Sequence, residues 1–237
     1  MIGTRKILRG VPVLVGVVAL GAVLLPTTAL GSSEMRERHD RDDVRAARAQ
    51  TFVYDLDTVP DDPRASGGAH ANGQAEITVE GNRVRVKLEA RGLSPNLAHV
   101  QHIHGVGQNR CPDASARNRR LADGLIDTVE GLPDYGAIQV SLTTSGDTSP
   151  ASGLAIDRFP RADQHGRVKY ERTFTIGVDF PQEVADNLAH HHIVTHGIDV
   201  DHDGTYDFAR LGASPLSPTL PLEAELPAVC GVSTHHH

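Results

Sequence analysis

The run His99-Val100-Gln101-His102-Ile103-His104 carries more chemistry per residue than any other stretch of the chain. On an extended strand the side chains alternate between faces, so His102 and His104 share one face and His99 takes the other. Two imidazoles on one face can form two arms of a metal chelate, and a third arm must come from elsewhere. His196 is the candidate, because it ends the run His190-His191-His192-Ile193-Val194-Thr195-His196 and Gly197 follows it, as at the mouth of a site. His192 shares a face with His196, but about 13 Å of strand separates them, too far for one ion. Imidazole suits copper and zinc alike. The competing reading is a set of surface or hydrogen-bonded histidines with no metal. The chain has 14 histidines, which makes chance clustering easier, and His235, His236 and His237 read as a tail.

A second constellation follows directly. Asp199, Asp201, Asp203 and Asp207 flank Gly204 in the order DVDHDGTYD, with carboxylates at alternate positions and a glycine for a sharp turn. That is how a calcium loop wraps oxygen ligands around its ion, although Arg210 stands where the closing glutamate belongs. An acidic, solvated turn is the simpler reading. The segment Asp123 to Glu130 is a weaker echo and reads as no site. No nucleophile elbow, phosphate-cradling loop or zinc-protease helix occurs in the chain.

These residues need elements to position them. Strands are expected over 51–57, 74–80, 83–90, 98–104, 137–143, 168–176 and 192–196, with Gly81-Asn82 turning the second into the third. The segment from the histidine strand to Tyr135 reads as long and irregular. One short helix is expected over 181–188, opened by Pro181. Many short strands with Gly- and Pro-rich connections predict an all-β sandwich or barrel.

The N-terminus places that domain outside the cell. Arg5, Lys6 and Arg9 precede an apolar run from Val11 to Leu25, then Pro26 and small residues at Ala29 and Gly31. This is the order of a secretory signal peptide over 1–31, and the run falls short of the roughly 20 apolar residues a helical span needs. Residues 32–50 read as a charged tether, 51–232 as the domain and 233–237 as the tail. Removing three basic and no acidic residues from 23 and 30 leaves 20 against 30. An acidic domain of this kind disfavours nucleic acid and anionic lipid as partners. In an oxidising compartment the two cysteines, Cys111 and Cys230, predict one disulfide.

The stretch HVQHIHGVGQNRC, residues 99–111, resembles the copper-binding segment of Cu,Zn superoxide dismutases. The resemblance implies a Greek-key β-sandwich with one short helix and long loops. It implies copper ligation by His102 and His104, with His99 beside them in a structural role. Ala228-Val229-Cys230-Gly231-Val232 is similar to the family's terminal disulfide segment, and Ile193-Val194-Thr195-His196 to the strand ending in its last copper ligand. The front half, GQAEITVEGNRVRVKLEARGLSPN, also resembles chordin-type domains of secreted proteins. The departures carry as much weight. No histidine lies between Pro112 and Gln164, where the bridging and zinc ligands belong, and Pro227 stands in the place of the anion-guiding arginine. The implied protein binds copper, lacks the zinc site and turns superoxide over poorly. A copper-only dismutase and a metal-free extracellular binding module are the alternatives.

Overall fold

The computed structural model describes residues 49–236. The signal peptide read over 1–31 and nearly all of the tether lie outside the described residues. Eight strands form one continuous antiparallel sheet: β1 (Gln50–Thr58), β2 (Asn72–Glu80), β3 (Arg83–Arg91), β4 (Gln101–Gly105), β5 (Ala137–Ser141), β6 (Val168–Thr175), β7 (His192–His196) and β8 (Pro227–His236). Their spatial order is β5-β4-β7-β8-β1-β2-β3-β6, so the chain crosses repeatedly between the two halves in Greek-key fashion. The all-β class expected from the pattern is the class found.

The hairpin of β2 and β3 shows why the pattern was readable. Val84, Val86, Leu88 and Ala90 are buried, while Arg83, Arg85 and Glu89 between them are exposed. Gly81 supplies the positive φ, +57°, that the two-residue turn needs. The outward charges pair across strands, as Arg85 does with Glu171 at 2.5 Å, in solvent. Such exposed pairs contribute about 0–1 kcal/mol each.

The half that carries the histidines is built differently. Every residue of β4 and of β7 is buried. Ile103 and Ile193 point into the main core with Leu88, Phe174 and Leu226. The opposite face, with His102, His104 and Val194, lies under the long loops that follow β4 and β5. A second, smaller core forms there from Val59, Ala116, Ile126, Tyr135, Val194 and Cys230.

Three features depart from the sequence reading. A helix, α1 (Thr128–Tyr135), lies inside the stretch read as irregular. Asp127 caps it by accepting from the Glu130 amide, and Glu130 accepts in return from the Asp127 amide. Gly131 and Pro133 within it hid the helix from a propensity reading. β8 went unread as a strand because Pro227 and Gly231 interrupt it and burial on both sides removes any alternation. It continues to His236, so its backbone pairing with β1 extends into the segment read as a tail. The short helix expected over 181–188 forms only across Gln182–Ala185, before a 3₁₀ turn at Leu188–His190.

The covering loop after β4 is fastened at several points. Cys111 and Cys230 form a disulfide, Cα to Cα 5.8 Å, across a sequence separation of 119. Asp134, fully buried, pairs with Arg110 at 2.7 Å and with Arg119 at 2.5 Å. Asp61 accepts from the Ile126 amide at 2.6 Å. Cross-linking so long a loop is worth about 5 kcal/mol in the chain-entropy model. The Cys111→Ser, Cys230→Ser double variant is therefore expected to unfold at lower urea and to exchange the amides of 106–127 faster. Exchange in that loop equal to the disulfide-bonded protein would show that the bond does not secure it.

Candidate metal centre

His102 and His104 project from β4 and His196 from the end of the neighbouring strand β7. Antiparallel pairing sets Gln101 opposite Thr195 and His102 opposite Val194, so the end of β7 lies beside the start of β4. The register shifts between Thr195 and His196 where β7 meets β8. Such an irregularity re-aims the side chain beside it. The three ring centroids stand 5.4, 5.2 and 5.8 Å apart. One nitrogen from each ring lies within 4.8 Å of the others, and all three residues are buried.

Each ring is aimed by a backbone carbonyl. His102 Nε2 meets Gly153 O at 3.1 Å, His104 Nδ1 meets Gly136 O at 2.9 Å, and His196 Nδ1 meets Glu225 O at 2.8 Å. A neutral imidazole has one N–H, and a carbonyl can only accept, so each ring donates at that nitrogen. The other nitrogens, His102 Nδ1, His104 Nε2 and His196 Nε2, are buried and have no partner among the described residues. Three lone pairs thus converge with nothing else to satisfy them. Orientation of a ligating histidine through its second nitrogen is the usual construction of a metal site.

Electrostatics agrees with the geometry. Burial pushes His102 far below the ordinary imidazole value, with His196 and His104 adding to the shift. Burial lowers His104 to about 3 and His196 to about 4. The rings are held neutral, the form that binds metal. Packing fixes them further: His104 meets Tyr135 edge-on at 4.6 Å and His102 meets Phe159 at 5.5 Å. Gly136, whose carbonyl orients His104, has φ +83°, and a Cβ there would strike Gly105 O.

His99 falls outside the trio, as the alternation required. Its Nδ1 lies 2.9 Å from His196 O and its Nε2 2.9 Å from Ser94 O. Burial lowers its pKa against the pull of both carbonyls, so the neutral ring donates to one of the two. His192 pairs in register with His104 but lies outside the group of three.

The acidic loop is arranged otherwise than its spacing suggests. Asp199 and Asp201 gather with Glu223, which no loop pattern could indicate because it lies in the 3₁₀ turn Leu222–Glu225. Asp203 accepts from the Thr205 amide at 2.8 Å and Asp207 from the Ala209 amide at 2.7 Å, so both shape turns. Glu223 accepts from the Val200 and Asp207 amides, each at 3.1 Å. Asp199 accepts from the Asp203 and Gly204 amides at 3.3 and 2.9 Å, so Asp199, Asp203, Asp207 and Glu223 all have amide partners.

Glu225 escaped the sequence reading too, since Leu-Glu-Ala-Glu looks like a solvated acidic turn. It is 4% exposed, and burial followed by the charge of Asp127 raises its carboxyl to about 7.

No protein-family profile matches the chain, and no curated protein matches it. Among solved structures it is similar to the Cu/Zn superoxide dismutase from Brucella abortus, at 18% identity and a TM-score of 0.41, covering 78% of this chain and 99% of that one.

The depressed imidazoles make a prediction about acid. Below the unfolded value of about 6.5 the unfolded chain binds protons that the folded rings refuse, so stability falls as pH drops from there toward 4. Over that window His104 and His196 each contribute up to about 3 kcal/mol by this linkage. The urea midpoint of the metal-free protein is expected to fall steeply over that window, and less steeply in His104→Phe. A flat profile would mean that burial does not hold these rings neutral.

Proposed function

We propose that this chain is an exported, superoxide-dismutase-like domain that binds one copper ion through His102, His104 and His196. The observation that carries the reading is the convergence of three unpartnered, buried imidazole nitrogens, each aimed by a carbonyl on the far side of its ring. Three neutral nitrogen donors fit copper or zinc, and copper is favoured because divalent copper binds such sites more tightly than zinc. The His-x-x-His-x-His run and the disulfide linking Cys111 to Cys230 support the same assignment. Export is supported by the charged and apolar opening of the chain and by that disulfide.

When bound, copper supplies one-electron redox chemistry. The chain's own residues orient the donors, keep them neutral and shield them with Tyr135 and Phe159. Slow turnover of superoxide is the reading for the intact protein. Pro227 occupies the position of the guiding arginine, and the exported chain carries 20 basic against 30 acidic residues. Among the described residues lining the cavity beside His102 and His196 none is cationic. An anion gains no steering from such a surface.

Copper and zinc loading of the chain without His235, His236 and His237 tests the assignment. One copper per chain is expected, with His102→Ala, His104→Ala or His196→Ala each lowering affinity by at least a hundredfold. Copper uptake unaffected by all three substitutions would end the assignment. Superoxide removal by the copper form is expected to be no faster than that of free copper. A rate well above it, lost in His196→Ala, would instead identify a copper-only dismutase.

A further inference from the structure

Each of the three carbonyls that orient the rings stands at the end of a helical turn. Gly136 is the C-cap of α1, Gly153 caps a 3₁₀ turn at Pro150–Ser152, and Glu225 is the last residue of the 3₁₀ turn Leu222–Glu225. Carbonyls at such ends have no partner within their own turn and are free to accept from elsewhere. Glu225 O accepts from His196 Nδ1 at 2.8 Å and from Thr128 Oγ1 at 2.7 Å, so both of its lone pairs are engaged. Thr128 lies 97 positions away along the chain, at the first residue of α1.

The carbonyl does not need that second donor to be satisfied, because His196 already donates to it. Nor does the hydroxyl serve its own helix, whose N-terminus is closed by the capping box of Asp127 and Glu130. Thr128 is buried, and its hydroxyl reaches out of α1 to another turn. Such a bond fixes where the Glu225 carbonyl stands relative to the helix. The same helix ends at Gly136, whose carbonyl takes the His104 proton. Tyr135 Oη ties the two ends together by donating to Thr128 O at 3.0 Å, while its ring packs on His104. One eight-residue element thus reaches the acceptors of two rings, at Thr128 for His196 and at Gly136 for His104. His102 is aimed by Gly153, which lies outside that element.

We propose that Thr128 is a positioning residue of the three-histidine centre. Its hydroxyl holds Glu225 O, and through that carbonyl the ring of His196, at the spacing from His104 that α1 sets. The inference rests on that centre taking up metal. Thr128 acts only through the carbonyl, one bond further out than the partner that orients the ring. Partners of this outer kind are worth roughly ten- to a hundredfold in metal affinity.

The test compares wild type, Thr128→Val and Thr128→Ser in the chain without its terminal histidines. Valine keeps the branched shape and removes the hydroxyl, whereas serine keeps the hydroxyl. In the metal-free protein, proton NMR follows exchange of the ring N–H groups with solvent. The His196 Nδ1–H is expected to exchange about tenfold faster in Thr128→Val, as loss of one hydrogen bond eases local opening. It is expected to keep the wild-type rate in Thr128→Ser, with the His102 Nε2–H unchanged in both. Copper(II) affinity, measured by chelator competition, is expected to fall about tenfold in Thr128→Val, with an altered EPR hyperfine splitting. Thr128→Ser is expected to restore both. Should the valine variant not fold, Thr128→Ala removes the same hydroxyl and is read against serine in the same way. A His196 exchange rate or a copper affinity unchanged by loss of the hydroxyl overturns the proposal while leaving the metal centre standing. An equal loss in Thr128→Ser does the same, since it assigns the effect to packing. Failure of the wild type to take up copper overturns the metal centre and this inference together.

Discussion

A buried imidazole has one proton to donate, and what accepts it decides what the other nitrogen can do. Three carbonyls, those of Gly136, Gly153 and Glu225, take that proton from His104, His102 and His196. None of the three belongs to the strands carrying the rings. They come from the C-cap of α1, from the loop after β5 and from the turn before β8. The candidate centre therefore depends on loops being held against the sheet, and most of the covering architecture does that work. The disulfide, the two arginines on Asp134 and the capping box of α1 all restrain the segment that delivers Gly136. Buried ion pairs of this kind add less stability than definition, because desolvation cancels much of their attraction.

Burial on both faces of β4 and β7 links packing to chemistry. Ile103 and Ile193 anchor these strands in the main core, so the histidines opposite them have little freedom of their own. The satellite core around Tyr135 and Val194 excludes water from the other side. Exclusion of water keeps the rings neutral and leaves their free nitrogens without competitors. The same exclusion raises the buried Glu225 carboxyl to about 7.

Much of this was legible in the residues. The alternation in β2 and β3 exists because one face is wet, and a wet face writes itself into the sequence as Arg, Lys and Glu. The spacing of His102 and His104 gives a shared face by strand geometry alone. Legibility failed where both faces are dry or where the partner is distant. β8 has no alternation to read, α1 contains Gly131 and Pro133, and Glu223 reaches Asp199 from 24 positions away along the chain. Spacing in the acidic loop cannot reveal that Asp203 and Asp207 accept from neighbouring amides while Asp199 and Asp201 gather with Glu223.

By itself the order of residues determined the class of fold, the hairpin register, the pairing of the two cysteines and which two histidines share a face. Those properties follow from local periodicity and from counting, which need no knowledge of distant contacts. Tertiary structure alone decided that His196 arrives beside the pair and which nitrogen of each ring is free. Each of these depends on a backbone carbonyl or a cavity wall brought from a remote part of the chain. A carbonyl looks the same in every residue, so no sequence pattern marks the three that matter here.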